Sequence, residues 1–137
     1  MIGIKLQAQQ NQIVLYVGGA MWDNDTIAKK CLNGQFLPVC KGANTFSDLA
    51  SMKMSSVTIK VYAATKLVGT VEVQFPVPAD KNAKVKELVD QIKDKGYIYY
   101  EKPIVEMIKK TGEKELRPIN GVNIFIDEKL GGNCKPK

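Results

Sequence analysis

At 137 residues, with 45% hydrophobic and 25% charged residues, the chain has the size and composition of one globular domain and not those of a disordered protein. It contains no histidine, which excludes Ser-His and Cys-His nucleophile pairs and His-ligated metal enzymes. The net charge is +6, yet of 20 basic residues only Arg117 is arginine, so the charge favours an acidic partner but lacks the bidentate forks that read bases.

The N-terminal run Met1–Gln10 has no basic region ahead of an apolar stretch, so it does not read as a secretory signal. No apolar run approaches the ~20 residues of a membrane helix. A cytoplasmic location is expected. Cys31, Cys40 and Cys134 are an odd set at wide spacing and read as free thiols of a reducing compartment. Zinc needs about four Cys or His ligands, and no metal or cofactor is expected.

Along the chain, Ile2, Ile4, Leu6 and Ala8 alternate with Gly3, Lys5 and Gln7. With Ile13–Val17 they predict an N-terminal β-hairpin that ends at Gly18-Gly19. Trp22 reads as a core plug for that hairpin. Asp23 or Asp25 is a candidate N-cap for a short helix carrying Ile27, Ala28, Cys31 and Leu32, stopped by Asn33-Gly34. Asp23-Asn24-Asp25 opens like a calcium loop but has Ala28 and Gly34 where that loop needs glycine and glutamate. Gly18-Gly19 lies outside any phosphate-loop spacing and reads as a strand-ending turn.

A short strand is expected at Phe36–Cys40, and a helical turn capped by Ser47 near Leu49. Val57–Ala63 and Leu67–Phe75 form the clearest hairpin, joined by Ala64–Lys66 and ended by Pro76 and Pro78. The best helix, Lys81–Lys95, has Asp80 as N-cap, Val85, Leu88, Val89 and Ile92 on one face, and Gly96 as its left-handed terminal residue. Tyr97–Tyr100 reads as a strand and Pro103–Ile108 as a short helix. Asn120-Gly121 predicts a hairpin turn between Glu115–Ile119 and Val122–Ile126.

The expected fold is α+β. It has antiparallel hairpins in one sheet or small barrel, one well-formed amphipathic helix and two or three short helices. It is one domain over residues 1–130, with 131–137 a frayed tail.

Two places stand out as candidate binding residues. Tyr97, Tyr99 and Tyr100 lie among Lys93, Lys95 and Lys102, and aromatics interleaved with cations hold single strands or nucleotide bases. The ordinary alternative is strand packing against the helix. Arg117, the one guanidinium, is suited to grip a phosphate or carboxylate, unless Glu113 or Glu115 already holds it.

The sequence therefore suggests a non-catalytic binding protein for an acidic partner: a nucleotide-like small molecule, nucleic acid held weakly and without sequence preference, or an acidic protein surface. Small size, lysine richness and missing histidine also suit an accessory protein of a phage or mobile element. The alternative is a structural or assembly subunit acting by β-edge pairing or homo-oligomerisation. No spaced carboxylate pair or activated nucleophile points to an enzyme.

Overall fold

In a computed structural model of the chain, residues 12–20, 23–32, 34–41, 49–130 and 134 are described. The elements run β1 (Gln12–Val17), β2 (Thr26–Ile27), a 3-10 turn (Lys29–Cys31), β3 (Phe36–Lys41), β4 (Leu49–Ala63) and β5 (Lys66–Gln74). Helix α1 (Ala79–Val89), β6 (Lys95–Lys109), β7 (Lys114–Pro118), β8 (Val122–Asp127) and a second 3-10 turn (Glu128–Leu130) follow. The strand expected at Ile2–Ala8, Trp22, Asn33 and Ser47 lie outside the described residues.

The architecture is α+β and dominated by antiparallel strands. β1 and β3 form a two-stranded sheet, Val14 opposite Val39. The larger sheet has six strands in the order β2-β8-β6-β4-β5, with β7 also on β6. Among the described residues only β2 and β8 pair in parallel. Period-two alternation sends Val57, Ile59 and Val61 of β4, Val71 and Val73 of β5, and Ile98 and Tyr100 of β6 to one face. Ile13, Leu15 and Val17 of β1, Leu88 and Val89 of α1, and Ile92 close over that face in one apolar cluster. Full burial of such side chains contributes about 1.5–3 kcal/mol each.

The predicted hairpin Val57–Ala63/Leu67–Phe75 is present as β4 and β5, turned at Ala64, whose φ is 55°. Other expectations are corrected. The predicted helix Lys81–Lys95 is α1, but it starts behind Pro78 and stops at Val89. Asp80 sits in its first turn, where its charge complements the helix dipole, and makes no side-chain cap. Ile92 keeps its apolar role as a fully buried plug beyond the helix end. Gly96 is not a left-handed terminal residue but lies inside β6, where a side chain would strike the Tyr62 carbonyl.

Pro103–Ile108 is strand and not helix. Pro103, Val105 and Met107 are buried while Ile104, Glu106 and Ile108 are half-buried, a period of two stabilised by pairing to β4 and β7. Nor is Asn120-Gly121 a hairpin turn. β7 lies opposite Ile104–Ile108 and β8 opposite Lys95–Tyr100, end to end on the same edge of β6. The break between them faces Lys102, whose φ is 50°, and is closed by a bond from Ile119 N–H to the Pro103 carbonyl at 2.9 Å.

The helix expected over Ile27–Leu32 is replaced by β2 and the 3-10 turn. Asp23 Oδ1 accepts from Asn123 N–H at 2.7 Å, and buried Asp25 accepts from Thr26 N–H at 2.9 Å. The Asp23 carboxylate therefore binds the segment to β8, where the Asp25 carbonyl also accepts from Phe125 N–H at 2.8 Å, and neither residue caps a helix. The free-thiol reading fails for two cysteines: Cys31 and Cys134 form a disulfide across 103 residues, with 5.4 Å between their Cα atoms. Cys134, in the segment expected to fray, is thereby tied to the turn after β2. Cys40 is a free thiol.

Candidate functional site

The apolar face of the large sheet is not covered completely. A cavity of about 550 Å³ remains between that face, α1, β3 and the 3-10 turn Lys29–Cys31. Its floor is Val17, Ile59, Val73 and Tyr100, all buried, with Phe36 beside them. Val77, Val85 and Val89 form the helix-side wall. Polar groups occur at the rim: Lys29, Lys30 and Glu128 from the two turns, and Asn82, Lys86 and Asp90 from α1 and its end.

Local structure explains this division. On α1, Val85 and Val89 are one turn apart and face the sheet, while Asn82 and Lys86, and Asp90 just past the helix end, are exposed. The rim turn is anchored twice. Lys29 Nζ donates to the Ile92 carbonyl at 2.6 Å, and Glu128 Oε2 accepts from Lys29 N–H at 2.6 Å. Gly19, with φ of 98°, fits against this turn because any side chain would meet the Cys31 carbonyl. That contact gives Gly18-Gly19 its role as a close-packed turn.

Tyr100 belongs to this cavity. Its ring meets Phe36 edge-on at 5.5 Å, and burial pushes its phenol well above the ordinary value. Tyr97 and Tyr99 point to the opposite face of the sheet. Tyr97 stacks on Tyr62 at 4.3 Å and 12° and leans on Phe125 at 6.0 Å. The Tyr99 ring lies over Gly121, so close that a side chain there would come within 2.8 Å of its hydroxyl. Lys93, Lys95 and Lys102 are exposed, Lys102 at the break in β6.

The structure thus splits the tyrosine cluster between two faces. Arg117 is separate again. It sits opposite Val105, eight residues along β6 from Tyr97, or roughly 25 Å at strand rise. Its guanidinium is bonded to Glu115 Oε2 at 3.1 and 3.3 Å. Burial raises the Cys40 thiol above its ordinary value, and the Arg117 charge pulls it the other way. Cys40 Sγ lies 4.0 Å from the Met52 sulfur.

Tyr100 stood among the candidate residues of the sequence, but Phe36, Val77, Lys30 and Lys86 did not stand out as parts of one site. They come from segments far apart in the chain, and no spacing motif links them. Among the described residues no helix is long and apolar enough to cross a membrane. Comparison with protein-family models, curated proteins and solved structures gives no match in any of the three.

Proposed function

We propose that the protein is a non-catalytic binding protein that holds a small acidic molecule in this cavity. One observation carries the reading: a cavity of about 550 Å³ has a buried apolar floor and lysines at its rim. That volume is within the roughly 300–1,000 Å³ of small-molecule sites, which pair apolar walls with a few polar groups. Nucleic acid has less support as the partner, because the Tyr97 face is already stacked on Tyr62 and Arg117 is engaged by Glu115.

The test is a panel of small acids followed by amide NMR of the intact protein. Saturable shifts at Phe36, Val85, Val89 and Tyr100 support the reading. Shifts confined to Tyr97, Phe125 and Lys95 would move the site to the other face and overturn it.

A second reading, assembly by edge pairing, rests on β5. It ends the strand order of the large sheet and pairs only with β4 among the described residues. An open edge of this kind is a template for another chain. Light scattering that gives the monomer mass at high concentration removes this reading. For location, the cytoplasmic expectation stands against the Cys31–Cys134 bond, which supports an oxidising compartment. Mass measurement after alkylating the protein in its own host decides between them.

A further inference from the structure

We infer that the ligand of the cavity is a single-chain amphiphile with one acidic head, of the class of a medium-length acyl carboxylate. Its chain lies on the sheet and its head lies between Lys30 and Lys86. The inference rests on the reading of the cavity as a ligand site and specifies what fills it.

Polarity is segregated inside the cavity. Val17, Ile59 and Val73 of the floor are at most 3% exposed, and among the described floor residues only Tyr100 carries a polar side-chain group. A nucleobase or sugar on that floor would give up hydrogen bonds to water and regain almost none. A run of methylenes has no such groups and gains from leaving water. The floor therefore selects against nucleotides and for chains.

The rim sets the head. Lys30 and Lys86 are both exposed, and neither makes an ion pair among the described residues. Lys29 is held by the Ile92 carbonyl and Glu128 by the Lys29 N–H, and the opposite charges of these two side chains offset each other. What remains is two lysines against the carboxylate of Asp90. A net single positive charge matches a monoanion. It would leave most of the charge of a di- or triphosphate unopposed.

The experiment is calorimetric titration of the intact, oxidised protein with decanoate, decanol and adenosine monophosphate. It is repeated on the Lys30→Glu/Lys86→Glu double variant, whose two substitutions fall on exposed positions. Expected are one-to-one binding of decanoate, at least tenfold weaker binding of decanol, and no nucleotide binding. The double variant should weaken decanoate at least tenfold and leave decanol unchanged. Nucleotide binding without decanoate binding, weakened by the double variant, overturns the amphiphile and keeps the cavity as a ligand site. Decanoate binding untouched by the double variant overturns the assigned head position. Binding of none of the three probes overturns the inference and the cavity reading together.

Discussion

A methyl group built on Gly69 of β5 would lie 2.6 Å from both Cδ atoms of Leu88 on α1. The helix sits on the sheet at a height set by this one missing side chain. Leu88 is 3% exposed and packed within the core cluster. Gly69→Ala is therefore expected to destabilise by about 1–3 kcal/mol through overpacking. Leu88→Ala is expected to cost about 2–5 kcal/mol through the space it leaves. The double variant should cost clearly less than the sum, because the methyl added on β5 occupies part of that space. Urea denaturation of the four proteins measures the coupling. Strict additivity would mean that α1 does not rest on β5 at this point.

Ile92→Ala should destabilise the fold by about 2–5 kcal/mol as well, although Ile92 lies beyond the helix end. Its side chain is fully buried and reaches within 3.1 Å of where a Gly96 side chain would start. Gly96→Ala is the sharper test of the same contact. It drives a methyl into the Tyr62 carbonyl at the pairing of β4 with β6, and neither backbone can give way without losing ladder bonds. Loss of soluble, cooperatively melting protein is expected. A Gly96→Ala protein that melts within a degree of the parent would show that β4 and β6 are not in this register.

The sequence revealed those elements whose apolar period is unambiguous. Val57, Ile59 and Val61 against Val71 and Val73 read as a hairpin because strict alternation has one solution. Val85, Leu88 and Val89 read as a helix for the same reason. Ile104, Met107 and Ile108 fit a helical spacing as well as a strand, and tertiary pairing decided in favour of the strand. Asn120-Gly121 looked like a two-residue turn because local sequence does not show that both flanking strands share one partner, β6. Period two already places Tyr100 on the other face from Tyr97 and Tyr99. That the Tyr100 face holds a cavity depends on Phe36, Lys30 and Val77, distant segments that only the fold brings together.

The Cys31–Cys134 bond closes a loop of 103 residues, so its loss frees a large part of the unfolded chain. Reduction, or Cys134→Ser, is expected to lower stability by about 2–5 kcal/mol, a fall in Tm of about 10 °C. Cys40→Ser serves as the control, since Cys40 is a free thiol. Melts with and without a phosphine reductant, beside the mass after alkylation, test this. An unchanged melt under reductant would mean that the link contributes nothing to the fold.

Tyr100 gives the fold a dependence on alkaline pH. Burial holds its phenol in the neutral form and raises it above the ordinary value. In the unfolded chain the same phenol titrates near pH 10. Below that pH both states keep the proton, and Tyr100 adds no slope. Above it the unfolded chain loses the proton while the folded chain keeps it, so the unfolded state gains and stability falls with rising pH. The slope is about 1.4 kcal/mol per pH unit until the folded phenol also titrates. Every other group is common to the parent and to Tyr100→Phe, so their difference isolates this phenol. Denaturant unfolding of both proteins from pH 8 to 11.5 is the measurement. The parent should lose stability relative to Tyr100→Phe only above about pH 10, by about 1–2 kcal/mol at the alkaline end. Parallel curves across the whole range would mean that the phenol reaches water, and that the floor of the cavity is wet.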